Sequence, residues 1–116
     1  MITAWAHLPN ATHIDRVLAS LAATPELWTT AWDAARDAAW YAAWTAARGA
    51  ARGAARDASR DASRYAARYA IAALVAWDDC AVFLDMPPDA VRLVAASGHH
   101  PAVLLLPAAI VFNPSI

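Results

Sequence analysis

Polar and apolar positions obey one rule between Ala31 and Ala70. The chain reads there as ten successive tetrads: Ala-Trp-Asp-Ala, Ala-Arg-Asp-Ala, Ala-Trp-Tyr-Ala, Ala-Trp-Thr-Ala, Ala-Arg-Gly-Ala twice, Ala-Arg-Asp-Ala, Ser-Arg-Asp-Ala, Ser-Arg-Tyr-Ala and Ala-Arg-Tyr-Ala. Ala or Ser fills the first and fourth positions, and Trp or Arg fills the second. The third varies among Asp, Tyr, Thr and Gly. Ala has the best intrinsic helix propensity, and no Pro interrupts between Pro25 and Pro87, so this period predicts helix. Thr24 as a cap, Pro25 at the first helical position and Glu26 at the positive end of the dipole mark its start. Pro87-Pro88 marks its stop. The expected element is one long Ala-rich helix over 25–85, about 90 Å long at ~1.5 Å per residue. Gly49 and Gly53 each cost about 1 kcal/mol against Ala and mark the place for a bend or a hairpin. Without a turn-forming cluster beside them, one helix or two nearly collinear ones is the expectation.

A four-residue repeat on a 3.6-residue helix drifts by about 40° per tetrad. The Trp/Arg stripe therefore winds around the axis, which argues against a heptad coiled coil. The Ala ridge allows close approach of another helix. Shorter helices flank this element. Thr12 to Ala23 places apolar residues at 14, 17, 18 and 21, with Thr12 as its cap. Ile71 to Leu84 continues the long helix with bulkier side chains. Pro88 to Ser97 forms a short helix ended by Gly98 in the left-handed conformation. Ala102 to Phe112 is a kinked helix or a strand, and Pro107 disfavours a central strand.

The fold class expected is all-α, as a single helical domain over 1–116. It comprises an N-terminal helix within 1–24, the tetrad helix over 25–86 and short C-terminal helices over 87–116. A lone long helix would leave the Trp side chains and the 102–112 segment exposed. An oligomeric helical bundle is therefore expected, most simply a C2 dimer through the Trp28–Trp44 region or the C-terminal segment.

Composition narrows the function classes. The chain has 116 residues, of which 34 are Ala, with a net charge of −1 and 60% apolar residues. That size fits one domain, and the apolar content excludes a disordered tail. A single Cys excludes a disulfide scaffold and fits a reducing compartment. Three Gly exclude a Gly-rich phosphate loop. The first residues lack a basic opening and a signal-like apolar stretch. The longest apolar run, 101–112, falls short of the roughly 20 residues a bilayer requires. A cytoplasmic protein without a membrane partner is expected. Asn10-Ala11-Thr12 matches a glycosylation sequon but reads as a turn with a cap.

Charge is distributed unevenly: −1 over 1–30, +3 over 31–70 and −3 over 71–116. The second-position stripe also changes character. Trp28, four residues before the first tetrad Trp, leads into Trp32, Trp40 and Trp44, interrupted by Arg36. The stripe then becomes an Arg ladder of Arg48, Arg52, Arg56, Arg60, Arg64 and Arg68. Like charges four residues apart cost a few tenths of a kcal/mol per pair. Asp57–Arg60 and Asp61–Arg64 offset part of this, while Arg48 and Arg52 have Gly in place of such an Asp. Tyr65 and Tyr69 stand beside Arg64 and Arg68. Guanidinium forks suit phosphate, and aromatic faces suit bases. The six Arg with Tyr65, Tyr69 and Trp44 form the candidate site for an anionic small molecule such as a nucleotide. The competing reading is a solvated face, or an inter-subunit network of these Arg with Asp78, Asp79, Asp85 and Asp89. The slightly acidic whole chain disfavours long nucleic acid.

Catalytic chemistry finds little support. The chain has no nucleophile elbow, zincin, Cys-x-x-Cys or Walker pattern. Asp78-Asp79-Cys80 is the densest polar cluster, but adjacent helical carboxylates point about 100° apart. Cys80 reads as a small buried hydrophobe. His99-His100 lacks the i, i+4 spacing a helix offers a metal. A non-enzymatic protein without metal or cofactor is expected.

The tetrads flow into Ala-Leu-Val-Ala-Trp-Asp-Asp-Cys (Ala73 to Cys80), then Leu84-Asp85-Met86-Pro87 and Ala102-Val103-Leu104-Leu105-Leu106-Pro107-Ala108. Together these stretches, within Pro25 to Phe112, resemble a widespread family of small Ala-rich hypothetical proteins encoded by bacteriophages. The resemblance implies a phage-like origin and a host-cytosol setting. It brings no activity and no functional residues. Small accessory phage proteins often block host defences, some by sequestering signalling nucleotides. By that analogy the expected function is an oligomeric, non-enzymatic binding protein that sequesters a nucleotide immune signal. The alternative is a structural or adaptor helical oligomer that binds a host or phage protein.

Overall fold

A computed structural model describes residues 5–35, 44–47 and 65–113. Every regular element among them is helical. In chain order these are α1 (Ala11–Ala23), α2 (Pro25–Ala35), α3 (Tyr65–Ala76), a 3₁₀ segment (Cys80–Asp85), α4 (Pro88–Ala96) and α5 (His100–Phe112). Residues 44–47 are also helical. The all-α expectation therefore holds for the described residues.

The straight helix over 25–85 does not. Helices α2 and α3 lie in contact, whereas one straight helix would hold them about 45 Å apart at ~1.5 Å per residue. The longest dimension of the structure is 37 Å, too short for the expected rod. Helix α3 also stops at Ala76, and Ile71 to Leu84 is no continuous helix. Side chains also reach the carbonyls at the end of α3, where Ala73 O still accepts the Trp77 N–H at 3.0 Å. Ala73 O accepts the Cys80 thiol at 3.3 Å, and Leu74 O accepts the Asn10 amide at 2.9 Å. Asp78 and Asp79 then form an exposed turn into the 3₁₀ segment. The bend or hairpin considered at Gly49 and Gly53 lies outside the described residues.

Helix α5 occupies the centre. It packs against α2, α3, α4 and the 3₁₀ segment, and Pro101 to Ala109 are all buried. The 102–112 segment is thus a helix, with Pro107 inside it. On α1, Ile14, Val17 and Leu21 are buried toward α2 and α3. On α2, Trp28, Ala31 and Ala35 form the buried stripe. Trp28 is fully buried and meets Phe112 edge-on at 5.7 Å.

Several caps differ from expectation. Asn10, not Thr12, precedes α1, and its side chain makes no cap. The Thr24 hydroxyl donates back to Ser20 O at 3.0 Å, closing α1, while Pro25 opens α2 as expected. Gly98, at φ +88°, takes the left-handed position after α4, and its N–H reaches Ala95 O at 2.9 Å.

Trp28 and residues 101–109 are buried within one chain, while Trp32, Trp44 and Ile110 to Phe112 are half-buried.

Candidate functional site

The described tetrad positions outside α3 share one sense of inside and outside. First-position Ala31, Ala35, Ala47 and Ala67 are all buried. Second-position Trp32, Trp44 and Arg68 are all half-buried. Third- and fourth-position Asp33, Ala34, Thr45 and Ala46 are exposed. Ala31 and Ala47 lie four tetrads apart, so on one straight helix they would face directions about 160° apart. Both are nevertheless buried. On α3 the third and fourth positions, Tyr69 and Ala70, are buried as well, because α1, α2 and α5 pack around that helix.

Among the nine residues expected to hold an anion, Arg48, Arg52, Arg56, Arg60 and Arg64 lie outside the described residues. Tyr65 opens α3, and its side chain is also outside them. The structure brings the remaining three together. Trp44 meets Tyr69 in a T-shaped contact with ring centroids 4.6 Å apart, and Arg68 adjoins Tyr69 on α3. Tyr69 is buried, so its ring belongs to the packing. Trp44 and Arg68 retain part of their surface. An edge-to-face ring pair is worth about 0.5–1.5 kcal/mol beyond its buried area. It ties residues 44–47 to α3 at the C-terminal foot of the Arg run.

Several polar contacts among the described residues lie away from the expected anion site. Asn10 is 4% exposed and spends both amide protons on α3 and the turn after it, donating to Leu74 O at 2.9 Å and Trp77 O at 3.0 Å. Asn113 Nδ2 donates to Leu84 O at 2.6 Å. These are the only two Asn of the chain, and each satisfies carbonyls where a helical segment ends. Arg16 lies 4.1 Å over the Phe112 ring and pairs with Asp85 at 3.0 Å. Trp5 donates to Asp15 at 2.8 Å, and Trp28 donates to Ser20 Oγ at 3.1 Å. Asn10 stands at the N-cap of α1 without capping it, and the sequence signalled only a cap there. Its partner, more than sixty residues away, was not readable.

Cys80 is fully buried, as its reading as a small hydrophobe expected. Its thiol also donates to Trp77 O at 3.1 Å. Burial, with Asp79 nearby, pushes its pKa up to about 12, so the reactive thiolate is absent at neutral pH. Asp78 and Asp79 are exposed. Exposed His99 rests its ring against Phe83, with centroids 5.6 Å apart. Among the described residues, no three His, Cys, Asp or Glu side chains gather into a metal-binding group. Comparison with family models, curated proteins and solved structures finds no match.

Proposed function

We propose that this chain is a non-catalytic, phage-like binding protein of the host cytosol. In this reading Arg48 to Arg68 hold an anionic, base-bearing small molecule, with a nucleotide immune signal as the ligand class. The observation that carries it is the placement of the second tetrad position. Trp32, Trp44 and Arg68 all sit on the boundary between core and solvent. At such a boundary an Arg packs its apolar stem against the core, and in Arg68 the burial extends to Nε. A repeat that returns Arg to that boundary arrays forks suited to phosphate, and the partly exposed Trp44 ring offers a face for a base.

Trp fluorescence tests this reading. Titration with a cyclic dinucleotide should quench it saturably. The Arg56→Ala, Arg60→Ala double variant should lose that response while keeping its helical circular dichroism. An equal response in the double variant would refute the site.

The adaptor reading keeps one specific support. Asp78 and Asp79 are exposed within a segment of net charge −3, opposite in sign to the tetrads. In that reading copies of the chain associate through Arg–Asp pairs. The Arg variants would then lower the mass in solution, and high salt would do the same.

A further inference from the structure

Among the described residues, Trp32, Trp44 and Trp77 keep part of their surface. Trp5 and Trp28 belong to the core, with their indole N–H groups donated to Asp15 and Ser20. The three half-buried rings differ in the charge beside them. Exposed Asp33 follows Trp32, and exposed Asp78 and Asp79 follow Trp77. A carboxylate beside a ring repels an anion held there. Trp44 is followed instead by the neutral Thr45, and it meets Tyr69, which adjoins Arg68 on α3.

That contact suits Trp44 to stacking. The two ring planes are inclined at 68°, so Tyr69 covers at most one face of the indole. Tyr69 is itself buried and holds the indole from the core side. Successive helical residues turn by about 100°, so Arg68 leaves α3 beside the Trp44–Tyr69 contact rather than opposite it. Burial of Arg68 Nε restricts the guanidinium, and a fork already held loses less freedom when it pairs with a phosphate.

We infer that Trp44 and Arg68 form one nucleotide subsite, in which the indole stacks the base and the guanidinium takes the adjoining phosphate. The ligand class is a nucleoside monophosphate, or the corresponding half of a larger nucleotide. This rests on the reading of the tetrads as an anion site, and it adds which residues take the base. Every base has a face to stack, so the subsite accepts different bases. It requires base and phosphate together, because each of its two side chains meets only one of them.

Isothermal titration calorimetry of the full chain tests this, with adenosine monophosphate, adenosine, inorganic phosphate and cyclic di-AMP as separate titrants. The chain should bind adenosine monophosphate, and should bind adenosine or phosphate at least about tenfold more weakly. Trp44→Leu and Arg68→Gln should each weaken adenosine monophosphate about tenfold with unchanged helical circular dichroism. Trp44→Phe and Arg68→Lys replace any variant that loses helix content. Phe should keep most of the affinity, and Lys, a point charge without the fork, should lose severalfold. Three results would overturn the subsite and leave the anion site standing. One is binding of cyclic di-AMP without binding of adenosine monophosphate. Another is adenosine or phosphate bound as tightly as the monophosphate. The third is undiminished monophosphate binding in a folded Trp44→Leu, Arg68→Gln or Arg68→Lys chain. Absence of binding by cyclic di-AMP and the monophosphate alike would overturn both readings.

Discussion

Asn10 is the residue on which two distant parts of the chain depend. It donates to Leu74 O and Trp77 O from a buried position, so its removal leaves two carbonyls without that donor. Asn10→Ala should lower the unfolding free energy by about 1–3 kcal/mol, read from the urea midpoint with an unchanged slope. Cys80 gives a second prediction, in pH. Its thiol is raised from the ordinary 9.0 to about 12 in the folded chain. The unfolded chain therefore loses this proton first. The thiol's contribution is intact below the ordinary value and declines as pH rises from 9.0 to about 12. Cys80→Ser should flatten that part of the decline, and alkylation of the native protein near neutral pH should be slow. At this scale the sequence was legible where a residue's own type decides its role. Cys80 among apolar neighbours is buried, and Gly98 takes the left-handed position. Asn10 was not legible, because its role is set by carbonyls of α3 that only the folded chain brings near.

Element boundaries follow the same division. Pro25, Pro88 and Gly98 lie where local chemistry places them. The end of α3 at Ala76 was missed, because nothing in Ala76-Trp77-Asp78 breaks a helix locally. There Asn10 and Cys80 donate to the carbonyls of Ala73, Leu74 and Trp77, beside the Trp77 N–H that Ala73 O also accepts. The tetrads misled in a different way. Ala-rich propensity favours helix equally in one rod or in several pieces, and packing decides between them. At the four described first positions, Ala31, Ala35, Ala47 and Ala67, the tetrads do form a buried seam. Ala31→Leu would force a larger side chain into that seam and should cost about 1–3 kcal/mol through overpacking. Ala34→Leu, on the exposed side, should have little effect. In α5, Leu105→Ala should cost about 2–5 kcal/mol because it opens a cavity in the fully enclosed helix. Thermal denaturation of the three variants checks the order.

At the scale of the whole molecule, the chain encloses its own most apolar elements. Trp28 and residues 101–109, within the surfaces expected to drive association, are buried within one copy. Assembly through Arg–Asp pairs, the alternative reading, would give a mass that falls as salt rises. The described surface pairs Arg16 with Asp85 and Arg92 with Asp89. The proposed ligand site draws on the remaining Arg residues of the tetrads, anchored at the Trp44–Tyr69 contact. Native mass spectrometry is the most direct test. The protein would be measured as purified at moderate salt, then after incubation with a nucleotide panel that includes cyclic dinucleotides. Anionic-ligand binding predicts a stoichiometric adduct that disappears in the Arg56→Ala, Arg60→Ala variant. A spectrum without adduct across the whole panel, or an adduct of equal intensity in that variant, would contradict it.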